Sequence, residues 1–327
     1  MRLSWDGKAP PMAGPVHDLV VPVTGNLLAE GDNLAICRAL AARDVRPRLI
    51  YADPPFATGS DFGEYSDVWA APDTYLQFLY ERCVAFHEWL ADDGAFFLHL
   101  DWRAAPHARL ILDEIFGAGH FRNEIVWAYR RWPAKSRAFQ RLHDTLLFYV
   151  KDPDRYTWNQ LYEPLSPGTV RSHGDRKQQA VFDGKRRINS IDTDERSPGS
   201  PMTDVWYFSV VNARAKERNG YPTQKPQALL ERVIAATTQP GDCVADLFCG
   251  SGTTPAAAHK LGRRWIAGDL SPRAVALTRE RLAASGAGFD ETSLAPGAAA
   301  SRRLHEAGRR PALPGAYRKV SSTSQWN

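Results

Sequence analysis

The chain has 327 residues, 43% hydrophobic and 24% charged, which suits one large α/β domain with an insertion, or about two domains, and excludes a wholly disordered polymer. The net charge of +4 is unevenly spread: residues 130–225 hold 18 Lys and Arg against 11 Asp and Glu. That block suits a surface facing phosphates, although a solvated basic loop region accounts for the charge equally well.

The apolar runs alternate with helical patterns. A strand over Asn26–Glu30 leads to a helix over Asn33–Arg43, and a strand over Arg48–Ala52 to a helix over Pro72–Leu90 that has proline at its first position. A strand over Ala95–Leu100 and a helix over Ala105–Phe116 come next, then strands over Glu124–Tyr129 and Thr145–Val150. Residues 152–215 break the pattern, being rich in Pro, Gly, Ser, Asp and Arg, and read as an inserted, loop-rich lobe. Beyond it come a helix over Lys225–Thr238, a strand over Val244–Phe248, a helix over Thr253–Leu261, a strand over Arg264–Gly268 and a helix over Pro272–Ala284. Most strands are apolar on both faces, as in a parallel sheet covered by helices. The expected fold class is therefore α/β, doubly wound and Rossmann-like. The boundaries predicted are a 1–23 extension, a first part of the main domain over 24–151, the lobe over 152–215, a second part over 216–285, and a basic, flexible tail over 286–327. No apolar run reaches the roughly 18 residues of a membrane span, and Met1–Lys8 has no signal-peptide core, so a cytoplasmic location is expected. Cys37, Cys83, Cys243 and Cys249 form no paired C-x-x-C pattern; buried reduced thiols are expected and no metal is implied.

Three segments carry chemistry. In Val244–Thr254 an apolar strand ends at Asp246, a Gly250-Ser251-Gly252 turn comes after it, and a helix begins. Glycines permit the tight turn, and a helix N-terminus offers free N–H groups to an anion. The next strand ends at Asp269, where a carboxylate can accept hydrogen bonds from ribose hydroxyls. A nucleoside-bearing cofactor fits this pattern; a purely structural strand–helix turn is the alternative. In Leu49–Phe56 an apolar strand runs into Asp53-Pro54-Pro55-Phe56. A base amino nitrogen is a poor nucleophile because its lone pair is delocalised into the ring. A carboxylate and a rigidly held carbonyl that accept its two N–H bonds would localise that lone pair for in-line attack on a sulfonium methyl. An aromatic beside them would stack on an extruded base. Taken alone, the same residues read as a strand-ending turn. In Tyr221–Pro226, Thr223 is a candidate helix N-cap, and Lys225 a candidate partner for a cofactor carboxylate.

Together these segments resemble the amino-methylating DNA methyltransferases, which act on adenine N6 or cytosine N4. Asp53–Phe56 is similar to their D-P-P-[YF] motif, Asp246–Gly252 to D-x-F-x-G-x-G, Tyr221–Pro226 to [HY]-P-T-Q-K-P, and Gly31-Asp32-Asn33 to a segment contacting the cofactor adenine. His143-Asp144 resembles a short histidine motif lining the base pocket. The catalytic motif precedes the glycine motif, as in the permuted β class shared with type III modification subunits. Leu247 replaces a common proline, Tyr221 replaces the commoner histidine, and the chain is shorter than a typical type III subunit.

The resemblance implies a circularly permuted, seven-stranded, mostly parallel sheet with 152–215 as target recognition region. It implies S-adenosyl-L-methionine as cofactor, held by Asp32, Thr223, Lys225, Asp246, Phe248, Gly250, Gly252, Thr253 and Asp269. The catalytic set would be Asp53, Pro54, Pro55 and Phe56, with the Pro54 carbonyl as second acceptor. Arg130, Arg131, Lys135, Arg137, Arg141 and His143 are the expected contacts to double-stranded DNA. A homodimer, a cognate restriction enzyme and a prokaryotic, nucleoid-associated setting belong to the same expectation. Asp-Pro-Pro leans towards adenine; Ser-Pro-Pro is commoner in cytosine-N4 enzymes. The alternatives are an N4-cytosine enzyme, an RNA amino-methyltransferase and a catalytically silent DNA-binding subunit. A 5-carbon cytosine enzyme would need a Pro-Cys nucleophile, and no cysteine here comes after a proline.

Overall fold

The computed structural model describes residues 3–11, 14, 16, 25–63, 65–133, 135 and 137–294. In chain order its elements are β1 (Leu27–Glu30), α1 (Asn33–Ala41), β2 (Leu49–Ala52), α2 (Pro72–Trp89), β3 (Ala95–Leu100), α3 (Ala105–Ile115), β4 (Phe121–Ala128) and β5 (His143–Val150). The lobe holds β6 (Tyr162–Glu163), α4 (Pro167–His173), β7 (Arg176–Asp183), β8 (Arg186–Arg196), β9 (Ser200–Pro201) and β10 (Val205–Tyr207). Then come α5 (Gln227–Thr237), β11 (Cys243–Asp246), α6 (Thr253–Lys260), β12 (Arg264–Asp269), α7 (Pro272–Ala284) and β13 (Asp290–Ser293).

The central sheet runs β10-β4-β5-β3-β2-β11-β12-β1-β13. Only β5 is antiparallel to its neighbours, β3 and β4. All seven predicted strands lie in this sheet, but it has nine, not seven. The two additions are short parallel edge strands, β10 beside β4 and β13 beside β1. They are polar or only three to four residues long, so no apolar run marks them. β13 also corrects the tail: residues 290–293 are a sheet edge, and Leu294 is buried. The tail from 295 onwards lies outside the described residues. The predicted loop-rich lobe carries a long antiparallel hairpin, β7–β8, paired with itself rather than with the main sheet. Its strands are polar on both faces, so they lack the alternation that reveals a half-buried strand. In the extension, Trp5 is buried edge-on against Tyr80, and Lys8 pairs with Glu114 at 2.7 Å.

Strand parity decides which helices cover which face. Ile50, Ala52, Leu98, Leu147 and Ala245 face α1, α2 and α3. Tyr51, Phe97, Trp127, Leu146 and Val244 face α5, α6 and α7. The helices after β2 and β11 therefore pack on opposite faces, although these two strands are neighbours. Such a reversal opens a crevice at the carboxyl ends of the strands. Asp53 stands at one wall of it and Asp246 at the other. Among the described residues no helix is long and apolar enough to cross a membrane.

Candidate active site

Asp53 comes directly after β2, and parity turns its side chain to the Tyr51 face. One carboxylate oxygen, Oδ2, receives a hydrogen bond from Lys225 Nζ at 2.5 Å; the two side chains are only 16% and 11% exposed. The other, Oδ1, is buried and has no hydrogen-bond partner among the described residues. The Pro54 carbonyl likewise has no partner there, whereas the Pro55 carbonyl accepts from the Tyr75 hydroxyl at 2.9 Å. Two open acceptors, one carboxylate and one carbonyl, thus stand side by side. Phe56 is half-buried, with Lys225 Nζ 5.1 Å over its ring centroid.

The loop after this motif is set by a residue that the sequence does not single out. Asp67 is buried and accepts from the backbone N–H groups of Phe56, Ala57 and Thr58, from the Thr58 hydroxyl and from Trp69 Nε1, at 2.7–3.2 Å. Those bonds hold Ala57 at φ +58°, a left-handed conformation that a residue with Cβ adopts only when its surroundings impose it. Trp69 packs on Tyr75 and Phe78, and Phe78 approaches Phe248 across the crevice.

Another group without a sequence motif of its own lies beneath Asp53. His99 is 0% exposed in the middle of an otherwise apolar strand. Its Nδ1 is 2.6 Å from the Tyr51 hydroxyl and 4.0 Å from Asp53 Oδ1; its Nε2 is 3.4 Å from Asp144 Oδ2. Tyr129 donates to Asp144 Oδ1 at 3.0 Å. Of the pair His143-Asp144, it is therefore Asp144 that reaches the site. His143 points to the opposite sheet face, because neighbouring strand residues alternate. The usable signal is a lone histidine within Ala95–Leu100 sharing the parity of Asp53 and Asp144.

On the other wall, Asp246 accepts from the Phe248 N–H at 2.9 Å and from the Thr254 hydroxyl at 2.5 Å. Burial pushes its carboxyl up to about 7, against the pull of those two hydrogen bonds. Asp269 accepts from the N–H groups of Gly250 and Ser271, both at 2.9 Å, and burial raises it too. Gly250 and Gly252 have φ of +48° and +72°; a Cβ would lie 2.9 Å from the Tyr221 ring on the first and 2.8 Å from the Thr278 hydroxyl on the second. The turn thus needs glycine both for its backbone and for its packing. Tyr221, where histidine is commoner, is the ring that packs on Gly250.

Asp32 caps α1, accepting from the N–H groups of Leu34 and Ala35, and its other oxygen lies 3.5 Å from Arg82. Asn33 Oδ1 beside it is buried without a hydrogen-bond partner among the described residues. An orphan acceptor on the first residue of α1, two strand-end carboxylates and a glycine turn opening α6 fit a nucleoside cofactor with a charged amino-acid end.

Three of the expected cofactor contacts have these places in the structure. Lys225 sits on the catalytic carboxylate. The Thr253 hydroxyl is buried, donating to the Lys225 carbonyl and taking a bond from Arg281. Thr223 is not a helix cap, since α5 is capped at Pro226. Arg130, Arg131, Lys135, Arg137 and Arg141 are all exposed on the β4–β5 connection, at the same sheet edge as Asp53. Trp132 and Phe139 between them are 94% and 99% exposed.

A parallel sheet with one reversed strand, a glycine-turn cofactor site and an Asp-Pro-Pro-Phe strand end with two open acceptors define a nucleoside-cofactor enzyme acting on an amino group. A family model described as DNA methylase, covering N6- and N4-methyltransferases, matches residues 48–280. The chain belongs to this DNA methylase family, acts on an amino group of DNA, and uses S-adenosylmethionine as its methyl donor. It is 30% identical over 242 residues to the type II methyltransferase M.HpaI of Haemophilus parainfluenzae, spanning 74% of this chain and 70% of that one. It is 28% identical over 256 residues to the DNA adenine methyltransferase YhdJ of Escherichia coli K12, spanning 78% and 82%. Among solved structures the fold resembles the M1.HpyAVI–SAM complex, with a TM-score of 0.53 and 18% identity over 78% of this chain and 98% of that one. It also resembles the cytosine-N4-specific PvuII DNA methyltransferase, with a TM-score of 0.51 and 18% identity over 79% and 86%.

Proposed function

We propose that the chain is an adenine-N6 DNA methyltransferase that recognises a specific site, with Asp53 and the Pro54 carbonyl as the two acceptors for the target amino group. The observation that carries this reading is the asymmetry of Asp53. Lys225 holds one oxygen, and the other is buried with no hydrogen-bond partner among the described residues, beside the Pro54 carbonyl. A buried acceptor without a partner costs about 1–3 kcal/mol, which a ligand N–H relieves. A primary amino group has two N–H bonds, one for each acceptor. Accepting both draws the nitrogen lone pair out of conjugation and towards the donor. The bound cofactor supplies the electrophilic sulfonium methyl group. Asp32, Asn33, Asp246, Asp269 and the Gly250–Gly252 turn would hold it. The target base reaches Asp53 by leaving the duplex stack, with the Phe56 ring against its face.

No covalent enzyme intermediate is required. All four cysteines are buried, and burial pushes their thiols up, Cys243 to about 11 and Cys83 to about 12, which disfavours the thiolate needed for attack at carbon. Adenine is favoured over cytosine by Asp in the first position of the motif and by the adenine specificity in the name of the E. coli relative. The 152–215 lobe would read the sequence, with the β4–β5 connection on the phosphates. The type II names of other relatives support a pairing with a cognate restriction enzyme. Single-molecule sequencing of DNA from a methylation-free host expressing the chain tests the reading. N6-methyladenine at one recurrent sequence is expected. N4-methylcytosine would move the assignment to the other amino base, and unmodified DNA would reject it.

A further inference from the structure

The connection between β4 and β5 leaves the sheet at the end where Asp53 stands, since Ala52 pairs with Leu98, Leu100 with Thr145 and His143 with Ala128. The Tyr129 N–H donates to the Leu142 carbonyl at 3.0 Å and adds one rung to the ladder. Beyond it, residues 130–141 hold five cations, Arg130, Arg131, Lys135, Arg137 and Arg141, and no acidic residue. Two of the cations lie over rings at the root: Arg131 is 5.3 Å from the Tyr129 centroid, and Arg141 is 3.8 Å from that of Trp102, just after β3. Trp132 and Phe139 do the reverse and project. One is four residues past Ala128 and the other four before His143, so each arm carries one ring; they are 94% and 99% exposed. A single ring left in water needs no explanation. Two of them, set among cations at the mouth of the site, call for an occupant with flat apolar faces and negative charge.

We propose, resting on the reading that the target base leaves the duplex, that Trp132 and Phe139 hold the DNA open by stacking on the bases that flank the vacated position. Aromatic rings beside a basic surface are a general means of binding unstacked bases, because every base has a π-face. Apolar side chains also enter a duplex between base steps and keep it unstacked. Strand order sets the distance. β5 and β4 lie two and three strands from β2, which puts the roots of the connection roughly 10–15 Å from Asp53. That is the scale of the DNA major groove, roughly 12 Å wide. A base held at Asp53 therefore leaves its stack about where the two rings project. A second copy of the chain is a poorer occupant, since a two-fold contact through this connection would set five cations against five.

The test needs no recognition sequence. It compares the wild-type chain with the double variant Trp132→Ala, Phe139→Ala on two duplexes that differ only in one central abasic site, a gap already open. The wild type should bind the abasic duplex at least about fivefold more tightly than the intact one, the lower end of what one base–aromatic stack is worth. The double variant should bind both duplexes alike. Its slope of log Kd against log salt should stay at the wild-type value, because no charge is removed. Trp132→Phe with Phe139→Tyr keeps both rings and should keep the preference. Both side chains are exposed, so every variant should unfold at the wild-type temperature. A wild type without the abasic preference overturns the proposal, and so does a preference that survives the loss of both rings. If that surviving preference comes with a halved sedimentation mass, the rings cover a second copy of the chain instead. Binding is read without cofactor or methyl transfer, so the comparison decides the role of the rings even if the chain methylates no DNA and the reading of Asp53 fails.

Discussion

Asp53 and Asp246 stand at the carboxyl ends of adjacent parallel strands, one after an apolar Leu49–Ala52 and the other closing an apolar Cys243–Asp246. By sequence they are the same signal. In the fold they are opposites. Each oxygen of Asp246 already accepts one hydrogen bond, from the Phe248 N–H and the Thr254 hydroxyl, and each oxygen of Asp269 accepts one backbone N–H, from Gly250 and Ser271. Asp53 has one oxygen on a lysine and the other without a hydrogen-bond partner among the described residues. A carboxylate with both oxygens engaged by the protein is fixed in place; one with an oxygen left over is ready to accept from a reactant. The difference arises from the residues next in the chain. The glycine turn folds back and brings the Phe248 N–H and the Thr254 hydroxyl to Asp246. Two prolines come directly after Asp53, and neither has an N–H to supply.

That contrast can be broken at several points. The largest effect is expected from Asp53→Ala, which removes the reactive acceptor. The single-turnover rate should fall at least about 10³-fold while the cofactor Kd stays within about threefold, since the Asp246 wall is untouched. Equal losses in rate and cofactor binding would erase the distinction between the two walls. Next comes Lys225→Met, which strands a buried carboxylate. Denaturant unfolding should show a loss of about 3–5 kcal/mol, and adding Asp53→Ala should recover much of it. Additive losses would mean that the ion pair carries little.

The Asp246 wall offers a pH test. Its folded value of about 7 lies above the ordinary 3.8, so the folded state holds this proton more tightly than the unfolded chain. The resulting stability is complete below about pH 4 and is lost as the pH rises through 7. Asp246→Asn should flatten that slope, with a difference of up to about 4 kcal/mol between pH 4 and pH 8 in urea unfolding. The smallest effect is reserved for the exposed β4–β5 connection. Arg137→Ala with Arg141→Ala should weaken DNA binding and reduce the slope of log Kd against log salt by about 2. An unchanged slope would place the phosphates elsewhere.

The seven strands of the permuted sheet and its six covering helices are readable from alternating apolar runs, because burial on both strand faces writes itself into consecutive residues. The elements that are not readable lack that pressure. β13 is polar and short, and the β7–β8 hairpin is solvated on both sides. The site divides in the same way. Asp53–Phe56 and Gly250–Gly252 are contiguous motifs and stand out as such. Asp67, His99 and Asp144 act across 14 to 91 residues of chain from Asp53, brought in by strand order and side-chain parity rather than by spacing. Lys225 stands out in the sequence but reads there as a cofactor contact, because nothing in the sequence shows that the turn before α5 ends beside β2.

The central claim is that the open oxygen of Asp53 activates an adenine amino group. It is tested most directly by incubating the wild-type and Asp53→Ala proteins with methyl-labelled S-adenosylmethionine and duplex DNA, then identifying the labelled nucleoside. The account predicts N6-methyladenine from the wild type and no label from an Asp53→Ala protein that still binds the cofactor. Label at cytosine carbon 5, or retained transfer by Asp53→Ala, would contradict it.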